Sequence, residues 1–497
     1  MNNFIAKIDD YLNAILVKDL RQIVRGKFIW AVLLLFLGIV SLILCLSILE
    51  SGDRGEIDGE FISVSMLGLL FFASALLIPI QIGKKTSEEI YDATHELIFT
   101  TTMDPASIVK GKFLSGSVTI IMMYATLAPF LALTLYMGGV DIKNLILVII
   151  YSFIMSHVAV LFQVHLGLSY KSDIIIAGIG HKIGIIIVHI IAWIWASTFG
   201  GALLNGEYSR YTGTENFWVN VIIFLLLVSF VSIILYCLTV SRLQAEVSNR
   251  SYLFKSVTTA IWIIGTLVFS FNKDHAQFWC VIVFIVIAVL SLALLLDPET
   301  YSERVLLEIP TNPVARLIKF PLFTGMVNSL AWILIIAAFN YIYGLTVVAA
   351  ISPSYSGYFE FLSAVAIIFM YGLAYFLIAN FIKNMFFKDK PRSTITGILV
   401  SMLLIFTFGP LIAEAFMPYG TRGIVSIISP FGVFYDGLRN VFPYLIFSVI
   451  ALVAALFLNI SKLITQINDY FNASERLKEY NKMNDEKFKY FKDYDWN

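Results

Sequence analysis

Charge and cysteine are scarce in this sequence. Only 14% of the 497 residues are charged, and because a water-soluble domain carries about 25%, a soluble enzyme is excluded. Basic and acidic residues balance at 34 each, so no basic surface for nucleic acid is expected. Cys45, Cys237 and Cys280 lie in apolar runs without a C-x-x-C pair. They predict buried thiols rather than a disulfide framework or a zinc site.

Long apolar runs dominate the sequence, which is 59% hydrophobic. A helix needs about 20 apolar residues to cross the hydrocarbon core of a bilayer. This length predicts an all-α polytopic membrane protein with about twelve transmembrane helices. The predicted spans are 28–49, 61–82, 113–137, 145–169, 183–202, 217–241, 257–271, 278–296, 324–347, 359–382, 394–414 and 441–460. The first run is too long and begins too late to be a signal peptide.

Lysine and arginine predict the orientation, since cytosolic loops are enriched in both. A cytosolic N-terminus places 28 of the 34 basic residues on the inner side, 6 outside and none within a predicted span. Both termini are therefore expected in the cytosol, with short external loops. The expected location is the cell membrane (plasma or inner membrane), crossed many times.

Histidines are the main titratable residues inside the predicted spans. His157 and His165 lie in the fourth span and His189 in the fifth. They could line a pore, relay protons or touch a polar substrate. Alternatively, each is a neutral imidazole that is hydrogen-bonded to a neighbouring helix. The lack of carboxylates near the bilayer centre counts against an ion-driven carrier.

The water-facing segments suggest four regions. Residues 1–27 place apolar residues at helical spacing among Lys7, Lys18 and Arg21, which predicts an amphipathic elbow helix on the inner membrane surface. Residues 28–241 form a first six-span membrane unit. Residues 242–460 form a second unit of about six spans, and 461–497 form a charged cytosolic tail.

Residues 83–112, between the second and third spans, carry the most informative pattern. Thr86 and Ser87 can cap a helix whose first turn is acidic. Apolar residues then follow at steps of three and four and form one stripe, namely Ile90, Ala93, Leu97, Ile98 and Thr101. Asp104 and Pro105 predict the start of a second helix, as N-cap and first helical residue. An apolar stripe in water favours a groove on a partner, although it could also lie on the bilayer or on this chain's own helices.

These segments resemble the membrane permease subunits of ABC-2 type exporters. The resemblance rests on the basic helix N-A-I-L-V-K-D-L-R (13–21), on E-L-I-F-T-T (96–101), and on Pro105 and Lys110-Gly111-Lys112 before the third span. The residues that match the family's wording are Glu89, Leu97, Thr100, Thr101, Gly111 and Lys112. The chain departs from it where Thr102, Met103 and Asp104 precede the proline. The match covers about the first 140 residues.

The resemblance implies a separate cytosolic ABC ATPase as partner, with 83–112 as the coupling segment that inserts into it. The implied ATPase contacts are Glu88, Glu89, Tyr91, Glu96, Leu97 and Phe99. ATP is expected on the partner and no cofactor on this chain, because no Walker A loop is present: Ile78 stands where its first glycine belongs and Lys85 where Ser or Thr belongs. The chain is therefore expected not to be an enzyme. Other expected partners are membrane lipids, with no nucleic acid.

A possible repeat leaves the stoichiometry open. Residues 312–320, N-P-V-A-R-L-I-K-F, precede the ninth span as the elbow precedes the first, and 381–393 follow the tenth span in the coupling position. If the chain is a fused pair, it could meet two ATPase subunits. Otherwise it needs a second permease chain, as a homo- or heterodimer.

Two other functions remain as alternatives. One is a secondary transporter. The other, less favoured, is a polytopic glycosyltransferase-like enzyme that would hold Ca²⁺ or Mg²⁺ in the first outer loop, whose acidic residues are Glu50, Asp53, Glu56, Asp58 and Glu60.

Overall fold

The structure is a computed structural model that divides into two compact units, Met1–Gln244 and Ala245–Asn497. It describes residues 13–54, 59–91, 104–137, 142–169, 215–244, 248–271, 273–297, 300–350, 356–390, 394–415, 426–435, 441–473 and 475–476. Over these residues the regular structure is helical throughout, without a strand. The division falls close to the predicted boundary after residue 241.

The first unit begins with a short amphipathic helix, followed by long apolar ones. The second apolar run is one continuous rod in which a π-helical turn, Ala73–Leu77, joins two α-helices. The described helices are α1 Ala14–Arg25, α2 Lys27–Arg54, α3 Gly59–Phe72, α4 Ile78–Tyr91, α5 Pro105–Met137, α6 Ile142–Ser169 and α7 Glu215–Leu243.

The core of the first unit lies where α4 packs against α6. Small residues permit this close approach: a Cβ atom added to Gly83 would lie 2.9 Å from the Gln163 carbonyl oxygen, and one added to Gly167 would lie 2.6 Å from the Gly83 carbonyl oxygen. Around this contact, side chains of α2 to α6 form one buried apolar cluster that includes Val40, Ile62, Met66, Leu127 and Val160.

The second unit combines long helices with short ones. Its described helices are α8 Ser251–Phe269, α9 Lys273–Leu294, α10 Glu303–Leu307, α11 Pro313–Lys319, α12 Met326–Ala350, α13 Ser356–Phe386, α14 Thr394–Ala415, α15 Gly432–Tyr435, α16 Phe442–Leu458 and α17 Ile460–Phe471. Short 3-10 turns lie at Phe320–Leu322 and Ser426–Ile428.

A sharp bend of 66° separates α16 from α17. Asn459 lies at the bend, where its side chain donates to the carbonyl oxygens of Leu377 (2.9 Å) and Ala455 (3.0 Å) and accepts from the Asn380 amide (3.1 Å). The first part of the predicted tail therefore does not prolong the last span but turns away from it. Beyond the bend, Tyr470 joins a small hydrophobic core with residues of and around α10, among them Tyr301 and Val305, and with Phe323, which follows the 3-10 turn Phe320–Leu322.

The fold confirms an all-helical membrane protein. Eight helices among the described residues are long and apolar enough to cross a bilayer, or nine if the bent pair α16–α17 is one span. The predicted span 183–202 lies outside the described residues. In the predicted spans 278–296 and 394–414, the apolar helical stretches are shorter, at His275–Ser291 and Thr394–Pro410. A count of about twelve and the cytosolic termini remain predictions.

All three cysteines are free thiols. Cys237 and Cys280 are buried, as predicted, whereas Cys45 is exposed on α2. The prediction for Cys45 is wrong because the run that contains it is apolar all round, and such a helix can present part of its surface to lipid rather than to protein.

Candidate coupling site

The elbow helix α1 is anchored at its first residue. Asn13 caps it: the side-chain Oδ1 accepts from the Ile15 amide at 2.9 Å, and Nδ2 donates to the Ser107 carbonyl oxygen, 2.6 Å away at the start of α5. Gly111 of α5 lies beneath this cap, where an added Cβ would be 2.8 Å from Asn13 Oδ1 and from Ile15 Cβ. Gly111, one of the residues of the family resemblance, is therefore a position where a larger side chain would collide with α1.

The apolar face of α1 packs on the unit itself. Ile15, Leu16 and Ile23 are buried, whereas Arg21 and Arg25 are exposed. The predicted amphipathic helix is confirmed over Ala14–Arg25, and residues 1–12 lie outside the described part of the chain. Since α5 and α2 cover its apolar side, the protein, and not the bilayer alone, holds α1 in place.

An ionic cluster joins α1 to the ends of two spans. Glu89, near the end of α4, accepts from Lys18 of α1 at 2.6 Å and from Lys112 of α5 at 2.7 Å. Asp19 of α1 lies 3.6 Å from the Lys112 ammonium. The Lys112 side chain is 4% exposed and that of Glu89 16%. We call these four residues, Lys18, Asp19, Glu89 and Lys112, the elbow cluster.

The charges of the elbow cluster balance, as buried ionic groups require. Burial raises the pKa of the Asp19 carboxyl above its usual value, and Glu89 adds to this effect, while Lys112 and Lys18 oppose it. Asp19 Oδ1 accepts no hydrogen bond from the described residues. Within the cluster, Glu89 is therefore the well-bonded carboxylate and Asp19 the poorly bonded one.

The predicted helix start at Thr86 and Ser87 is wrong. Thr86 is buried inside α4, and its hydroxyl donates to the Ile82 carbonyl oxygen at 2.8 Å instead of capping a new helix. The second span thus continues unbroken to Tyr91. A Ser or Thr before acidic residues is a capping pattern, but the same hydroxyl can bond backward within a helix, and the sequence does not distinguish the two.

The predicted start at Asp104 and Pro105 is confirmed. The Asp104 carbonyl oxygen accepts from the amides of Ser107 (2.9 Å) and Ile108 (3.3 Å), and α5 begins at Pro105. This helix then runs without a break through the third span to Met137. Lys112 therefore lies within a helical rod rather than in a loop before it.

The predicted ATPase contacts are distributed over different surroundings. Glu88 is exposed and lies 3.7 Å from Lys84 on the same helix, whereas Glu89 is committed to the elbow cluster. Tyr91 is the last residue of α4. The other three, Glu96, Leu97 and Phe99, belong to 92–103 and lie outside the described residues.

Two of the three predicted polar histidines are described, and each has its own hydrogen-bond partner. The Nδ1 atom of His157 lies 2.7 Å from the Phe153 carbonyl oxygen of the same helix. His157 also lines a largely apolar cavity of about 470 Å³ between α5, α6 and α7. The Nδ1 atom of His165 lies 3.2 Å from the Thr239 hydroxyl on α7. His189 lies outside the described residues.

In the second unit, the predicted elbow 312–320 begins with a short helix, α11, that has no buried residue. Asn312 caps α11 as Asn13 caps α1: its Oδ1 accepts from the Val314 amide at 3.0 Å. In the predicted second coupling position, α13 ends at Phe386, and the Lys383 ammonium donates to the Lys388 carbonyl oxygen at 3.3 Å. The described part of this segment ends at residue 390.

Sequence reasoning missed a buried charged network in the second unit. Lys255 is wholly buried within α8 and donates to the Phe323 carbonyl oxygen at 2.6 Å. Nearby, Asp297 accepts from Ser251 at 2.6 Å and from Arg250 at 3.3 Å. Lys255 lies two residues before the predicted span 257–271, but the apolar helix α8 begins at Ser251 and therefore includes it. Lys255 lies at the edge of an apolar run, and a lysine of a cytosolic loop would lie in the same position. The sequence therefore does not show that this lysine is buried.

No group of three or more His, Cys, Asp and Glu side chains that could hold a metal ion occurs in the described part of the chain. The acidic side chains of the outer loop 50–60 lie outside that part. The proposed metal site of the enzyme alternative therefore stays a prediction.

Taken together, the helices define a multi-pass, all-helical membrane protein. No family model, curated protein or solved structure matches the chain. The likeness to ABC-2 permeases consequently rests on the motifs quoted above.

Proposed function

We propose that this protein is the membrane-spanning permease subunit of an ATP-driven ABC-2 type exporter. A separate cytosolic ATPase binds and hydrolyses ATP, and the segment between the second and third spans receives the resulting movement. The protein resides in the plasma or inner membrane. The observation that carries the proposal is the elbow cluster, which ties the elbow helix to both spans that flank this segment.

The geometry of the cluster supports a mechanical role. Glu89 lies two residues before the end of α4, and Lys112 lies in the second turn of α5, so the two bracket residues 92–103. Their ion pair of 2.7 Å holds the two helix ends together, and Lys18 joins the elbow to the same carboxylate. A push on the bracketed segment would therefore move the two spans and the elbow as one body, because the three elements share one buried ionic contact.

Binding of the ATPase tests the proposal. The genes that neighbour the one for this chain are searched for an ATPase with a Walker A loop, this ATPase is co-expressed with the full chain, and the amount that co-purifies is measured. Leu97→Asp, which puts a charge on the predicted apolar stripe, is expected to release the ATPase. His95→Asp adds the same charge off the stripe and is expected to retain it. An ATPase that stays bound to the Leu97 variant, or that leaves both variants equally, contradicts the proposed dock.

One observation favours a secondary transporter as the second candidate. Lys255 and Asp297 are buried charged residues in the second unit, and ion-coupled carriers use such groups. Lys255, however, lies in the second turn of α8 rather than at its centre. A carrier would move its substrate in vesicles under an ion gradient without any ATPase, and Lys255→Met would abolish this movement. The permease requires ATP and its partner in the same vesicles.

A further inference from the structure

A cavity of about 220 Å³ lies in the first unit where the elbow helix turns into the first span. Four helices form its walls: the end of α1, the start of α2, and parts of α4 and α5. Most of the lining is apolar, from Ile23, Phe28, Ile29, Ile78 and Ile82. The polar lining consists of Lys27, Gln81, Lys85 and Thr119.

The two cavity lysines have no direct partner within the described residues. Neither Lys27 nor Lys85 makes a hydrogen bond or an ion pair there, and Lys85 is half-buried whereas Lys27 is exposed. The Thr119 hydroxyl already donates to the Ser115 carbonyl oxygen at 2.9 Å. The free donors that face the cavity are therefore the two ammonium groups and the Gln81 amide.

The surrounding charge does not neutralise these lysines. The carboxylates nearest to Lys85, namely Asp19, Glu88 and Glu89, attract it only at longer range. Each of them lies closer to another lysine, at 2.6–3.9 Å. The half-buried Lys85 and the exposed Lys27 thus lack counter-charges from the described residues, and an anion in the cavity would supply them.

The position of the cavity indicates which anion. Lys27 begins a 23-residue apolar span, so the cavity opens at the level where that span meets the membrane surface. Trp30, half-exposed on α2, donates to the Val24 carbonyl oxygen at 2.8 Å, and tryptophan is enriched at membrane interfaces. Further along α2, Leu34 and Leu35 are more than 60% exposed. A lipid with its headgroup in the cavity could therefore lay its acyl chains along this face.

We propose that the cavity binds the phosphate group of an anionic membrane lipid, held by Lys27 and Lys85 with Gln81 as an additional donor. A volume of 220 Å³ accommodates a phosphate ester, since a water molecule takes about 30 Å³ of liquid. The lipid contacts elbow, first span, second span and third span at once. Its binding therefore stabilises the arrangement in which α1 lies against α4 and α5.

Retention of lipid by the full chain tests this site. The protein is purified in neutral detergent, stripped of lipid and titrated with phosphatidylglycerol, phosphatidylcholine or inorganic phosphate, and bound molecules are counted by native mass spectrometry. The cavity variant is Lys27→Gln with Lys85→Gln. The matched control is Lys84→Gln with Lys110→Gln, which removes two exposed lysines of the same two regions.

The wild type and the control are expected to hold one phosphatidylglycerol tightly. The cavity variant is expected to bind it at least about tenfold more weakly, because each charge-assisted hydrogen bond contributes at least that factor. Lys27→Arg with Lys85→Arg keeps both charges and is expected to retain binding, which separates loss of the site from loss of the fold.

Three results would overturn the proposal. The first is equal binding by the cavity variant. The second is an equal loss in the control, which would mean diffuse attraction. The third is inorganic phosphate or phosphatidylcholine bound as tightly as phosphatidylglycerol. None of these readouts involves an ATPase, so the lipid site and the proposed export function succeed or fail separately.

Discussion

Replacement of Glu89 by glutamine is expected to release the elbow helix. Glutamine keeps the shape of the side chain but removes the charge that Lys18 and Lys112 share at 2.6 and 2.7 Å. Lys112, 4% exposed, then retains only Asp19 at 3.6 Å. Removal of one partner of a buried ion pair typically costs about 3–5 kcal/mol. The lower end, about 3 kcal/mol, is expected here, because Lys18 is 38% exposed and regains water.

Thiol labelling measures this release directly. Ile15 lies on the buried face of α1 and is 4% exposed, so the thiol of an Ile15→Cys variant, in a Cys45→Ser background, reacts with maleimide only when α1 detaches. A cost of about 3 kcal/mol raises the detached fraction, and with it the labelling rate, by about a hundredfold. Glu88→Gln is the matched control, since Glu88 is the adjacent, exposed glutamate, and its labelling is expected to match that of the wild type.

A second substitution checks the cause. If the unpaired ammonium of Lys112 is responsible, Lys112→Met in the Glu89→Gln protein is expected to restore most of the protection, because an apolar side chain of similar length needs no counter-charge. Wild-type labelling of the Glu89→Gln protein would refute the reasoning, since it would show that apolar packing alone holds the elbow. Failure of Lys112→Met to restore protection would refute the electrostatic cause.

Three further changes have definite expected outcomes. Because the folded state raises the pKa of Asp19, it favours the protonated form, and stability falls as the pH rises from the unfolded pKa through the folded one; Asp19→Asn is therefore expected to melt at or above the wild-type temperature at neutral pH, with a difference that shrinks on acidification. Gly265→Ala places a Cβ 2.1 Å from the Trp279 ring and is expected to cost about 1–3 kcal/mol in thermal unfolding, whereas Gly372→Ala, with open space around it, is expected to cost less than half of that. Asn459→Ala removes the side-chain bonds at the bend, and faster proteolysis after α16 is expected, compared with Thr465→Ala on the exposed side of α17.

The sequence predicts a transmembrane helix well where the length of the apolar run is sufficient to decide the matter. The run at 28–49 has no alternative to a span, because an apolar segment of that length cannot be solvated. The start of α5 is equally predictable, since Asp104 and Pro105 act locally on the helix that follows them. The end of the second span is different: Thr86 suits a cap or a helix interior, and its contacts with α6 select the interior.

The elbow cluster cannot be predicted from the sequence, because it too depends on contacts between residues that are far apart in the chain. Lys18 and Glu89 are 71 residues apart in the chain, and no periodicity predicts which lysine a given glutamate meets. Lys255 shows the same limit, because a lysine at the edge of an apolar run occurs both in cytosolic loops and in buried networks. The sequence shows where the lysines and the acidic residues are, but which of them pair depends on tertiary packing.

The π-helical turn at Ala73–Leu77 has a consequence for everything that follows it in the second span. Such a turn contains one residue more than a regular helix needs, and each residue advances a helix by about 100°. Without the surplus residue, the carboxylate of Glu89 would point away from α1 by about that angle. The angular position of the end that carries Glu89 is thus set some fifteen residues earlier, around Ser74, which is hydrogen-bonded to Ser156 at 2.9 Å, and loss of this irregularity would turn the acidic end away from the elbow.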